Sequence, residues 1–203
     1  MRDLVLRTPM FAFPLTRKQA MIQAVRFDWG DTLMRVFPEY EGTMAEWPHV
    51  ESMPGVIPAL TELRPAYRLY LATNASDSDA MLVRAALRRV GLEEFFAGIF
   101  TSKELKVCKP DPGFYQAVLR ESGVAPGEAV MVGDDYPADV LGAKQAGLRA
   151  IWYNPAASPA PADRPLHDAE IQTMSELPAV LRNLDLQESV EPDALSNLPE
   201  VSA

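Results

Sequence analysis

Short apolar runs recur along the chain at residues 22–27, 68–72, 98–101, 129–132 and 149–153, each closed by polar or turn-forming residues. Runs of that length with β-branched and aromatic content predict strands. Between them the apolar positions change period. Val83, Ala86, Leu87 and Val90 repeat at helical spacing, behind a polar stretch at residues 76–79 able to cap the start of a helix. Asp111-Pro112 reads as an N-cap followed by proline at the first helical position, ahead of Tyr115, Val118 and Leu119. The helical stretch after Asp135 closes at Gly147, a natural left-handed cap. Strand and helix in alternation predict an α/β fold, a single doubly wound parallel sheet covered by helices.

The flanks read differently. Residues 1–20 carry basic groups around Met10-Phe11-Ala12-Phe13-Pro14-Leu15, a core too short and too broken by proline for a signal peptide. They are expected to be an appendage to a domain spanning 21–185. Residues 154–165, rich in proline and alanine, predict a loop. Residues 186–203 turn acidic, lose periodicity and predict a disordered tail. No internal repeat is visible.

Composition narrows the partners. The 203 residues suffice for one sizeable core, and 48% apolar content is that of an ordinary globular protein. A net charge of -9 argues against nucleic acid and against an anionic membrane surface, and no apolar run approaches a membrane span. Cys108 is the single cysteine, which excludes an internal disulfide and fits a reducing compartment, with the cytoplasm as the default.

Against that acidic background a few polar residues stand where an open α/β sheet places its ligands, just past strand ends. The first strand runs into Asp28-Trp29-Gly30-Asp31-Thr32-Leu33, the second into Thr73-Asn74, and the fourth into Gly133-Asp134-Asp135 with Asp139 beyond; Lys109-Pro110 precedes a helix. Singly, each is as well explained by a turn, a cap or a solvated charge. Together they imply chemistry. Asp28, Asp134 and Asp139 at one edge would repel by about 4 kcal/mol per pair at about 4 Å in an effective dielectric near 20. A hard divalent cation such as Mg2+ removes that repulsion, accepting carboxylates, a backbone carbonyl and water. A phosphate then completes the site, its remaining charge offset by Lys109 and the Thr73 hydroxyl, and Asp28 becomes a candidate nucleophile forming an aspartyl-phosphate.

These segments, with Lys109-Pro110-Asp111-Pro112 and Gly133-Asp134-Asp135-Tyr136-Pro137-Ala138-Asp139, resemble the four ordered motifs of the haloacid-dehalogenase superfamily, and the likeness runs from about Met21 to Leu181. The resemblance implies a Rossmann-like sheet and its strand order. It implies Asp28 as nucleophile and metal ligand, Gly30 as a ligand through its carbonyl, and Asp134 as a carboxylate ligand. Asp139 would orient a metal-bound water or ligate directly. Thr73 and Lys109 would hold the transferring phosphoryl group, assisted by the Asn74 backbone, and Trp29 would wall the site.

The sequence departs from that pattern in two places. Phosphatases of the superfamily usually carry a second Asp two positions after the nucleophile as general acid, where this chain has Gly30, with an acid displaced to Asp31. The residues from Phe37 to Met53 are too few for a helical cap, so the site reads as uncapped. Tyr40, Trp47 and His49 in that segment could rim the entrance, though ordinary packing explains them as well. Cys108 fits a small buried hydrophobe. The expected function is a Mg2+-dependent phosphohydrolase acting on a phosphate monoester or acyl phosphate, small or, given the uncapped site, larger, with a partner subunit of a homo-oligomer able to close it. A non-catalytic phosphate- or metal-binding regulator and a metal-free haloacid dehalogenase stand as alternatives.

Overall fold

Six parallel strands form one sheet among the described residues of the computed structural model, which are 21–161 and 166–189. They are β1 (Ala24–Phe27), β2 (Arg68–Thr73), β3 (Gly98–Thr101), β4 (Ala129–Gly133), β5 (Arg149–Tyr153) and β6 (Ala169–Ile171), in the order β3-β2-β1-β4-β5-β6. β1 therefore lies between β2 and β4, and three strand ends carrying the candidate chemistry are neighbours. The helices are α1 (Val56–Leu63), α2 (Ala80–Arg89), α3 (Ser102–Leu105), α4 (Pro112–Ser122), α5 (Gly142–Gln145) and α6 (Leu177–Ser189).

Strand alternation divides the core. Val25, Phe27, Leu69, Leu71 and Val132 pack on one face with α1, α2 and α6, while Ala24, Tyr70, Ala72 and Met131 pack on the other with α4 and α5. Burial on both faces is why the strands read as continuous apolar runs. The capping residues act as expected: Asp79 accepts from the Leu82 amide at the start of α2, and Asp111 from the Gly113 amide at the start of α4.

Three features depart from the sequence reading. Strand β6 was not expected; with three residues it is too short to show a period. The stretch after Asp135 first winds through π-type turns at Tyr136–Leu141 before α5. Helix α6 continues to Ser189, past the expected limit of the domain at 185, because Leu177 and Leu181 seat it on the core. Residues 1–20 and the segment beyond Ser189 lie outside the described residues. Between β1 and α1 there is no helical cap, only a strap pinned by a bridge between Met34 and Ser52, with Met44 and Trp47 buried beneath it. No helix among the described residues is long and apolar enough to cross a membrane.

Candidate active site

The carboxyl edge of the sheet holds a cavity of about 200 Å³ lined by Asp28, Gly30, Thr73, Asn74, Lys109, Asp135, Ala138 and Asp139. Ladder geometry supplies the nucleophile candidate: the Asp28 amide donates to the Val132 carbonyl at 2.9 Å, continuing the β1–β4 pairing one residue beyond the strand. Thr73 is the last residue of β2, and the loop between α3 and α4 brings in Lys109.

Lys109 is the centre of charge. Its Nζ donates to Asp28 Oδ1 and Asp139 Oδ1, each at 2.6 Å, and the residue is only 3% exposed. Burial alone would disfavour its charge, but the two carboxylates outweigh it and hold the pKa above the ordinary lysine value. Asp139 is 1% exposed and its second oxygen accepts the Asp135 amide at 3.1 Å. Burial raises its pKa, against the pull of Lys109. Gly133 makes this approach possible, since a Cβ there would lie 2.1 Å from Asp139 Oδ2. Asp134 is held by Thr32, whose hydroxyl donates to Asp134 Oδ1 at 2.7 Å and accepts the Asp134 amide at 3.2 Å. Burial pushes the Asp134 carboxyl up to about 6, helped by the charge of Asp28 and opposed by the Thr32 bond.

Oxygens of Asp28, Asp134 and Asp139 all lie within 4.8 Å of one another, and one lysine cannot neutralise three carboxylates. A hard divalent cation suits this donor set, so the residues present fit Mg2+. Asp139 differs from the other two in that both its oxygens already accept protein hydrogen bonds.

The Asn74 side chain, by contrast, forms a two-point clamp. Its amide nitrogen donates to the Lys109 carbonyl at 2.9 Å, and its Oδ1 accepts the Lys109 amide at 2.7 Å. The sequence offered no sign of this clamp or of the Thr32–Asp134 pair, because each joins residues far apart in the chain. Trp29 is a correction. Alternation past β1 sends Asp28 and Trp29 to opposite sides, and the indole packs in the core at 4% exposure with its N–H on the Met34 sulfur. Cys108 is exposed, not buried. Tyr40, Trp47 and His49 each stack against Phe37 and do not line the cavity.

The chain is similar to known proteins in sequence and in fold. The chain is 33% identical over 132 residues to N-acylneuraminate-9-phosphatase of Rattus norvegicus, a match covering 64% of this chain and 52% of that one. It thus spans about half the length of the curated relatives it matches. A solved structure of an uncharacterized protein from Listeria monocytogenes serotype 4b superposes with a TM-score of 0.73 at 25% identity, over 81% of this chain and 99% of the other. A 2-haloacid dehalogenase structure from Pseudomonas syringae pv. Tomato DC3000 gives 0.67 at 26% identity, over 81% and 100%. The profile described as haloacid dehalogenase-like hydrolase matches residues 19–147. The chain belongs to the haloacid dehalogenase-like hydrolases.

Proposed function

We propose that the protein is a Mg2+-dependent phosphohydrolase of phosphate monoesters or acyl phosphates that works through an aspartyl-phosphate on Asp28. The observation carrying this reading is the buried Lys109 bridging Asp28 and Asp139 beside Asp134. A carboxylate at 15% side-chain exposure, oriented by a fixed cation and opening on a cavity of about 200 Å³, is a nucleophile with room for a phosphoryl group. Asp28, Asp134, Asp139 and the Gly30 carbonyl would hold Mg2+, which when bound offsets the charge of the phosphoryl oxygens. Lys109 aims Asp28, the Thr73 hydroxyl and the Asn74 backbone bind phosphoryl oxygens, and Asn74 fixes the Lys109 backbone. The relative from Rattus norvegicus, named as a phosphatase, supports the same chemistry. Metal-free dehalogenation does not call for three carboxylates in one cluster.

The test is release of phosphate from acetyl phosphate or an aryl phosphate with and without Mg2+, for the parent and for Asp28→Asn. That variant keeps the shape of the side chain and removes its nucleophilic charge, and activity should fall by at least about 10³-fold. Hydrolysis by Asp28→Asn at the parental rate defeats the covalent mechanism. Phosphate binding without turnover by the parent establishes the non-catalytic alternative instead.

A further inference from the structure

The side of the cavity next to Gly30 is lined by backbone and backed by hydrocarbon. A Cβ built on Gly30 would lie 2.9 Å from Val36 Cγ2 and 4.0 Å from Met44 Cε, so the strap fills the space a side chain at this position would need. The neighbouring acid does not reach in. Asp31 adopts a left-handed backbone, φ 52, and its exposed carboxylate accepts the Val36 amide at 2.9 Å. The bond that turns Asp31 away is thus the one that ties Val36 over Gly30. Of the other polar groups lining the cavity, Lys109 donates to two carboxylates, both oxygens of Asp139 accept hydrogen bonds, Asn74 holds the Lys109 backbone, and Asp135 keeps Oδ1 on the turn at Ala138, while the Thr73 hydroxyl is the one assigned above to a phosphoryl oxygen. Neither position 30 nor Asp31 therefore supplies this side of the cavity with an acid.

We propose that this site is specific for phosphates whose leaving group departs as a weakly basic anion, acyl phosphates first, and that Asp31 positions the strap and takes no part in proton transfer. The proposal rests on the phosphohydrolase reading above. In the first step an Asp28 oxygen bonds to phosphorus while the bond from phosphorus to the acyl oxygen breaks. The acyl oxygen keeps the electron pair and leaves as a carboxylate, whose conjugate acid has a pKa of about 4, so no proton is needed. An alkoxide leaving group, about as basic as hydroxide, would need one, and a positioned acid contributes about 10²–10⁴-fold in that situation. In the second step water oxygen bonds to phosphorus and the bond to Asp28 breaks, regenerating the carboxylate. Both hydrogens of the water leave on the dihydrogen phosphate product.

The experiment compares kcat/KM, which reports the first step, for acetyl phosphate, an aryl phosphate and glycerol phosphate with the full chain in Mg2+. Acetyl phosphate should exceed glycerol phosphate by at least about 100-fold, with the aryl ester between. Two charge-neutral variants, Asp31→Asn and Asp135→Asn, keep an acceptor oxygen at each cap and should leave that ratio unchanged. The double variant Gly30→Asp with Val36→Ala places an acid in the cavity and removes the methyl that would obstruct it. It should raise glycerol phosphate turnover by about 10-fold or more and move acetyl phosphate little. A parent active on all three substrates at similar kcat/KM overturns the specificity alone and leaves the phosphohydrolase reading standing. A selective loss on glycerol phosphate in Asp31→Asn or Asp135→Asn overturns it as well, by revealing the donor. A parent inactive on all three defeats the phosphohydrolase reading itself.

Discussion

Two buried cations serve the same sheet and are treated in opposite ways. Lys109, past the carboxyl edge, has two carboxylates at 2.6 Å. Arg26, two residues before Asp28 on β1 and fully buried, has a single hydrogen-bond acceptor, the Ser122 hydroxyl at 2.6 Å, and its Nε and Nη1 have no partner among the described residues. Its guanidinium also lies 5.5 Å from the centre of the Tyr70 ring. Burial lowers its pKa to about 10, and Arg68 nearby adds to the effect. Both side chains are desolvated. At Lys109 the loss of hydration is offset by ion pairs that also aim a nucleophile, whereas at Arg26 a hydroxyl and a ring face are the whole compensation. The comparison separates charge kept for chemistry from charge accommodated by packing.

Removing Lys109 is the hardest break. Lys109→Met leaves Asp28 and Asp139 facing each other without a cation, and buried pairs broken on one side lose about 3–5 kcal/mol. Denaturant unfolding in the absence of metal should show a loss of that size, and hydrolysis should fall by at least about 10²-fold. Unchanged stability would mean that the bridge is not formed in solution.

The clamp that fixes Lys109 comes next. Asn74→Ala removes both bonds to the Lys109 backbone and should lower kcat by about 10-fold, with a smaller change in KM. Asn74→Asp retains the acceptor for the Lys109 amide but cannot donate to the Lys109 carbonyl, so its kcat should fall between parent and Asn74→Ala. If KM alone rises in both, Asn74 contacts substrate and does not position Lys109.

A gentler perturbation tests the crowding of acids. In the metal-free protein the Asp134 carboxyl is raised from 3.8 to about 6, so the folded state binds its proton more tightly than the unfolded state does. Between those values the folded chain carries more protons, and stability must fall as pH rises through that window. Asp134→Asn keeps an acceptor for Thr32 and removes the charge. It should raise the metal-free Tm at pH 8 by about 2–4 °C, equivalent to about 1 kcal/mol, and the gain should shrink as pH falls below about 6 and vanish only below 3.8. A gain independent of pH would place its origin outside the titration of Asp134.

Five of the six strands and the polar residues at their ends were legible in the sequence because both are local. Apolar runs buried on two faces stand out, and Asp28, Thr73, Lys109 and Asp134 each follow or precede an element the pattern marks. What stayed hidden depends on pairing across distance or on direction. Nothing in Thr32 or Asn74 announces the partners they meet 102 and 35 positions away. The orientation of Trp29 into the core and of Asp31 out of the site depends on strand parity and one left-handed residue. Arg26 reads as an ordinary polar interruption of an apolar run; only the packing of α4 over β1 shows that its charge is sealed in.

The smallest expected effect belongs to Arg26 itself. Arg26→Met preserves length and much of the volume, and removes a guanidinium of which two nitrogens are unpartnered. Three contributions oppose one another. Losing the Ser122 bond costs about 1 kcal/mol, reduced because the Ser122 hydroxyl still donates within α4 to the Val118 carbonyl at 2.7 Å. Losing the contact with the Tyr70 ring costs about 1 kcal/mol more. Against these stands relief of desolvation at the two unpartnered nitrogens, about 1–3 kcal/mol for each buried group left unsatisfied. The balance predicts a variant whose stability stays within about 1 kcal/mol of the parent or exceeds it, with phosphate release unchanged, because Arg26 lies outside the cavity lining. Chemical denaturation of parent and variant at one pH decides it. A loss above about 2 kcal/mol would show that Arg26 is compensated in solution as Lys109 is, and the contrast between the two cations would collapse.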